Sequence, residues 1–330
     1  MEVTVLGAGS WGTALSILLA RNGHSVTLAG RNHEEIDTLR AARENLRFMP
    51  GFVIPEGVEF AYLDAPLPPT EMTVIAVPST AVREVCARAK GHPLIVVASK
   101  GLEAGSAKTL SQVASEVLPD ADVGAISGPN LAVEIVRGIP TAAVTAFADL
   151  DTADRVRAAF MCRTFRVYVS QDVLGVELAG ALKNVLAIGA GLSDGLGFGD
   201  NTKGALLARG LHEMTLLGLA MGARQETFMG LAGVGDLFAT AVSKLSRNYR
   251  VGRALGEGLS LPEILKQIDQ VAEGVSTSDS ALILARREGV AMPVFEAIES
   301  VIRSRVQPLH AVSLLMERLP RLEGLHPAEA

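Results

Sequence analysis

Gly7-Ala8-Gly9-Ser10-Trp11-Gly12 follows a β-branched run at residues 3–6 and leads into an amphipathic stretch at 13–22. Its spacing, GxGxxG, lies between an opening strand and a helix, the setting in which the motif cradles a dinucleotide. Gly7 permits the tight turn, Gly9 lets the backbone approach a pyrophosphate, and Gly12 allows the helix to pack closely on the strand. The helix then aims its free N–H groups at the anion. A glycine turn with no ligand is the plain alternative, and the strand-turn-helix setting weighs against it.

Outward from this turn, β-branched runs recur at 26–28, 73–77, 94–98, 123–126, 142–145 and 166–169. Apolar residues at three- and four-residue spacing mark helices between them at 34–43, 80–89, 107–117 and 153–160. The alternation predicts an α/β fold whose N-terminal part is a Rossmann-type, doubly wound, mostly parallel sheet covered on both faces. Residues 48–69 carry Pro50, Gly51, Pro55, Gly57, Pro66, Pro68 and Pro69 and read as a surface excursion. Past Gln171 the strand signal stops, and 173–192, 203–221, 261–267, 277–287 and 295–304 read as helices. The expected organisation is a dinucleotide-binding domain at 1–171 and an all-α substrate-binding domain at 172–330. Residues 322–330 lack an apolar face and are expected to fray.

With 330 residues, 48% of them hydrophobic, the chain can bury a core large enough for two domains. A net charge of −6 argues against nucleic-acid binding, which needs clustered excess Lys and Arg. Small molecules are the expected partners. Cys86 and Cys162 lie in no CxxC or Cys/His array, so no metal is expected and a reducing cytoplasm fits. No leader pattern stands at the start and no apolar run approaches about 18 residues, so neither secretion nor a membrane span is expected.

An NAD-selective site presents an acid to the ribose about 20 residues beyond the glycines, but here the second strand ends in Arg31. Its guanidinium could pair with the 2′-phosphate of NADP, or simply be a solvated surface arginine. Ser99-Lys100-Gly101 and Ser127-Gly128-Pro129-Asn130 lie where further strands should end, the edge at which ligands bind in such sheets. Lys100 is therefore placed to meet a substrate or cofactor, or is a solvated loop lysine.

Farther on, Lys183 and Asn184 interrupt a nearly continuous apolar helix. Such a lysine either snorkels to water or is retained for proton transfer. Glu177, Gly180 and Asn184 share one helix face, with Lys183 at its edge. Gly230-Leu231-Ala232-Gly233-Val234-Gly235-Asp236 reads as a glycine-rich loop, and Ser246-Arg247-Asn248 offers a hydroxyl, a guanidinium fork and an amide suited to a phosphate monoester. A basic solvated helix face is the bland reading of the latter. Asp236 is open between a helix cap and a partner for Lys183. Carbonyl reduction by a nicotinamide needs a hydride donor and a proton donor, and His24, His33, His92, His212, His310 and His326 show no comparable pairing.

Taken together, Gly7-Ala8-Gly9-Ser10-Trp11-Gly12-Thr13-Ala14, Ser99-Lys100-Gly101, Ser127-Gly128-Pro129, Ala179-Gly180-Ala181-Leu182-Lys183-Asn184, Gly235-Asp236-Leu237, Ser246-Arg247-Asn248 and Glu273-Gly274-Val275 resemble the NAD(P)-dependent glycerol-3-phosphate dehydrogenases of the bacterial biosynthetic type. The resemblance spans nearly the whole chain. It implies interconversion of dihydroxyacetone phosphate and sn-glycerol 3-phosphate, supplying a phospholipid precursor in the cytoplasm, often as a homodimer. It further implies that Ser10, Trp11, Arg31, Ala132, Val271 and Glu273 help hold NADP(H) or NAD(H), and that Lys183 gives and takes the proton. Lys100, Gly128, Asp236, Ser246, Arg247 and Asn248 would meet the substrate, Arg247 also reaching the cofactor, with Thr240 and Asn184 lining the cleft. One departure is visible: the family pattern Gly-Pro-Ser-Phe-Ala is here Gly128-Pro129-Asn130-Leu131-Ala132, so the contact of that serine falls to Asn130. Competing expectations are another dehydrogenase of the same two-part architecture, acting on a hydroxy acid or phosphorylated sugar acid, and a non-catalytic NADPH sensor.

Overall fold

β-Branched and aliphatic residues form ten strands in the computed structural model, which describes residues 1–267 and 271–317. The segment 322–330, and with it His326, lies outside the described residues. The strands are β1 (Glu2–Leu6), β2 (Ser25–Gly30), β3 (Glu44–Asn45), β4 (Met49–Val53), β5 (Val58–Tyr62), β6 (Met72–Ile75), β7 (Leu94–Val97), β8 (Asp122–Ser127), β9 (Thr141–Ala146) and β10 (Phe165–Ser170). Eight of them make one sheet in the order β10-β9-β8-β7-β6-β1-β2-β5. From β5 to β8 all neighbours are parallel, with Val5 opposite Leu28 on one side and Val74 on the other. β9 runs antiparallel to β8, and β10 parallel to β9, so the sheet is mostly parallel as the alternation of strand and helix predicts.

Every residue of β6 and β7 is buried, which requires cover on both faces of the sheet. The helices of this part are α1 (Ser10–Arg21), α2 (His33–Ala42), α3 (Val82–Cys86), α4 (Leu110–Val117), α5 (Ala132–Val136) and α6 (Leu150–Phe160). The stretch read as one helix at 80–89 is α3 flanked by two 3₁₀ turns, and the one read at 107–117 begins only at Leu110. Ala107 has a left-handed φ of 55°, which a continuing α-helix does not admit.

The proline-rich stretch 48–69 is more ordered than a surface excursion. It contains β4, paired with β3, and β5, the edge strand that buries Val58 and Phe60 against the sheet. Pro55 and Pro66 flank β5 and do not interrupt it, so its ladder keeps its donors.

The chain divides into two compact units, one made of Met1–Lys100 and Leu110–Val173, the other of Gly101–Thr109 with the residues from Leu174 on. The second is helical: α7 (Val173–Gly195), α8 (Asp200–Ala220), α9 (Gln225–Met229), α10 (Asp236–Ala241), α11 (Arg247–Gly256), α12 (Leu261–Gln267), α13 (Glu273–Glu288), α14 (Pro293–Ile302) and α15 (Pro308–Met316). The glycine-rich stretch before α10 is a π-helical turn, Leu231–Gly235, rather than a loop. Gly233 makes this coil possible, since a Cβ there would fall 2.0 Å from the carbonyl oxygen of Phe228. α7 proves long and apolar enough to cross a membrane, contrary to the sequence reading, yet 89% of its apolar window is buried within the protein. It is a core helix, and no membrane span is indicated.

Candidate active site

In the first unit the glycine turn is built as its spacing demands. Gly7 has φ of 118°, and a Cβ there would meet the Ala76 carbonyl oxygen at 2.4 Å. A Cβ on Gly12 would meet the Gly7 oxygen at 1.8 Å, whereas one on Gly9 would meet nothing within 4 Å. The turn is therefore tight on its inner side and open at Gly9, the face a pyrophosphate has to approach. Gly9 caps α1 without a side-chain hydrogen bond, leaving backbone N–H groups of the first turn for an anion. Trp11 donates its indole N–H to the Ala98 carbonyl at 2.9 Å, locking the turn to the end of β7. Asn45 donates to the Ala8 carbonyl at 3.0 Å and to the Thr13 hydroxyl at 2.7 Å. Sequence reasoning missed this buried asparagine, because its partners lie more than thirty residues away.

β1, β7 and β8 are parallel members of one sheet, so the loops after them open at the same edge. Lys100 follows β7 and donates from Nζ to the Gly128 carbonyl at 2.8 Å, joining two of the loops singled out in the sequence. Gly128 has φ of 137°, and a Cβ there would press on Ala142 and Ala143 at 3.0 Å. In the same loop, the Ser127 hydroxyl and both polar atoms of the Asn130 amide are buried with no hydrogen-bond partner in the protein. Buried amides without partners are costly, and a ligand bound at this edge would satisfy them. Ala132 opens α5 beside this loop, and Arg31 stands exposed after β2. The turn and these unsatisfied groups thus fit a dinucleotide.

The second unit gathers Lys183, Asp236 and Thr240. Lys183 is buried in α7 and donates from Nζ to Asp236 Oδ1 at 3.0 Å and to the Thr240 hydroxyl at 2.6 Å. Thr240 in turn donates to Asp236 Oδ1 at 3.2 Å. The lysine does not snorkel: only 5% of it is exposed, and its charge is compensated by a carboxylate that is itself 2% exposed. Asp236 opens α10 and faces Lys183, so it is a partner for the ammonium.

Beside this group, Ser246 caps α11, its Oγ accepting from the Tyr249 N–H at 3.2 Å and leaving the hydroxyl proton to donate. Asn248 donates to Asn184 Oδ1 at 2.8 Å and accepts from the Gly274 N–H at 3.0 Å, tying together α7, α11 and α13. Burial pushes the Arg247 guanidinium below its ordinary pKa, against the opposite pull of Glu273. Partial desolvation strengthens the pairing of such a cation with an anion. Glu273 is the first residue of α13, and Val271 is exposed just before it. No group of His, Cys, Asp and Glu among the described residues could hold a metal. His24, His33 and His92 are engaged elsewhere in the first unit, with Ala159, Asp64 and Thr73.

A family model described as NAD-dependent glycerol-3-phosphate dehydrogenase N-terminus matches residues 2–153, and its C-terminus counterpart matches residues 172–313. The chain belongs to this family. A glycerol-3-phosphate dehydrogenase [NAD(P)+] of Desulfitobacterium hafniense is 45% identical over 96% of this chain and 91% of its own length. One of a Thermoanaerobacter species is 46% identical over 96% and 97%. The crystal structure of the Coxiella burnetii glycerol-3-phosphate dehydrogenase superposes with a TM-score of 0.90 at 36% identity, covering 96% of this chain and 99% of that one. This glycerol-3-phosphate dehydrogenase is thus an NAD(P)-dependent oxidoreductase of Rossmann type.

Proposed function

We propose that this dehydrogenase interconverts dihydroxyacetone phosphate and sn-glycerol 3-phosphate, with Lys183 as the proton donor and acceptor. The buried Lys183–Asp236–Thr240 group carries the reading, because burying an ammonium is costly and proton transfer to a substrate gives a reason to retain one there. The nicotinamide, when bound, supplies or accepts the hydride at C2. Asp236 and Thr240 hold the Lys183 ammonium in place for proton exchange with the substrate oxygen. As the alkoxide develops, the Lys183 ammonium releases its proton to that oxygen, and in the oxidative direction the neutral amine takes it back.

Ser246, Arg247 and the second amide hydrogen of Asn248 suit the phosphate, and Lys100, Gly128, Asn130, Asn184 and Thr240 are the other groups assigned to the substrate. Gly7, Gly9, Ser10, Trp11, Gly12 and Ala132 suit the cofactor, and Val271, Glu273, Arg247 and Lys100 are the other groups assigned to it. Arg31 in place of an acid favours NADPH. The enzyme would feed phospholipid synthesis in the cytoplasm as a homodimer; light scattering should return twice the 34.6 kDa chain mass, and a monomer would remove that part.

The test is NADPH consumption with dihydroxyacetone phosphate. Wild-type protein should oxidise NADPH, and Lys183→Ala should lower kcat by about 10²- to 10⁴-fold. NADPH affinity, followed by Trp11 fluorescence, should barely change. Full turnover in Lys183→Ala would move the proton role elsewhere, and a wild-type protein that binds NADPH without consuming it would be a sensor.

A further inference from the structure

The crossing of α7 and α11 is made by glycines. A Cβ on Gly191 would fall 2.0 Å from the backbone carbonyl oxygen of Tyr249, one on Gly252 1.8 Å from that of Ile188, and one on Gly195 2.2 Å from that of Arg253. At these three positions backbone therefore lies on backbone, with no side chain between the two helices. Two polar links join the helices beside these contacts. Asn248 and Asn184 join the helices at the substrate end, and the Tyr249 phenol donates to Asp194 Oδ2 at 2.6 Å near the end of α7. The other oxygen of Asp194 receives Lys203 Nζ from α8 at 2.8 Å, so the acceptor is held from a third helix.

We infer that Tyr249 and Asp194 are positioning residues for substrate phosphate, fixing the rotation of α11 and with it the aim of Arg247. Arg247 and Tyr249 stand about 200° apart around the helix, so pinning Tyr249 to α7 turns Arg247 outward from that crossing. A small rotation released at the phenol is carried to the tip of a long arginine side chain, where a displacement near 1 Å matters for a bidentate anion contact. The Asp194 carboxyl meets opposing influences: burial pushes its pKa up, and the hydrogen bonds from Lys203 and Tyr249 bring it below the ordinary value. It is thus a charged acceptor that holds the phenol firmly.

This inference rests on the reading of Arg247 as the phosphate contact, and a double-mutant cycle separates the two. Tyr249→Phe keeps the ring and removes the donor. In otherwise wild-type enzyme it should raise KM for dihydroxyacetone phosphate about tenfold, leaving kcat within about twofold. Asp194→Asn, which keeps an acceptor for the phenol, should raise KM less. In an Arg247→Ala background Tyr249→Phe should have no further effect on KM. An unchanged KM in the single variant would show that Tyr249 serves stability alone, and an equal rise in both backgrounds would show that it acts on substrate binding independently of Arg247; either result overturns the inference. If Arg247→Ala itself leaves KM unaltered, the phosphate reading fails first, and this inference with it.

Discussion

At the scale of single residues, the first two glycines of the turn do different work. Gly7 has a left-handed φ and a carbonyl oxygen where its Cβ would be, so Gly7→Ala should cost about 2 kcal/mol of stability and also abolish NADPH binding. Gly9 has neither constraint, and a methyl there would occupy only the space a pyrophosphate needs. Gly9→Ala should accordingly keep the wild-type Tm while losing NADPH affinity, measured by thermal melts and Trp11 fluorescence; a matching drop in Tm for both variants would contradict this separation. Arg31 is a simpler case, exposed at the end of β2 with its charge available. Arg31→Ala should raise KM for NADPH by about tenfold or more and leave that for NADH nearly unaltered, as expected from losing a charge-assisted phosphate contact. Equal effects on the two cofactors would remove Arg31 from cofactor choice.

Among elements, the junction of α7, α8 and α11 is where charge and packing meet. Asp194 titrates below its ordinary value because the Lys203 and Tyr249 bonds outweigh burial, so its contribution to stability is present above the unfolded carboxyl pKa and is lost as pH falls through the lower folded one. Lys203 is raised chiefly by its bond to Asp194, and Tyr249 likewise, so their share is present below their unfolded values and is lost as pH rises through the folded ones. The Tm gap between wild type and Asp194→Asn should be widest near neutral pH, begin to narrow as pH falls past about 4, the unfolded carboxyl value, and close only as it passes the lower folded one. A gap of constant size down to acid pH would mean that Asp194 acts without its charge. β5 shows the opposite case, an element whose five residues offer too short an alternation to outweigh the prolines around them. Only its parallel ladder to β2 makes it a strand.

For the whole molecule, the segment Gly101–Thr109 leaves the sheet unit and belongs with the helical one. Leu102 and Ala107 are buried, Leu102 bridges to Thr109, and Glu103 offers its carbonyl to Ser280 at 3.5 Å. A fragment beginning at Asp172 should therefore melt lower than the same fragment with residues 101–109 restored through a flexible linker, since burying one leucine contributes about 1.5–3 kcal/mol. Equal melting of the two by circular dichroism would show that the segment is passive. The sequence by itself determined the features whose physics is local. The GxGxxG turn, the strand and helix rhythm and the apolar face of α7 each depend on neighbours within a few residues, and they were legible together with the lysine that breaks the apolar pattern. Asp236 was legible as a residue but not as a choice between cap and partner, because the Lys183 ammonium it meets lies 53 positions away along the chain. The anchoring of the glycine turn by Asn45, the unsatisfied amide of Asn130 and the pin between Tyr249 and Asp194 left no periodic trace at all. Tertiary structure alone decided them, since a hydrogen bond between distant helices constrains only where two side chains finally meet, and not the residues on either side of them.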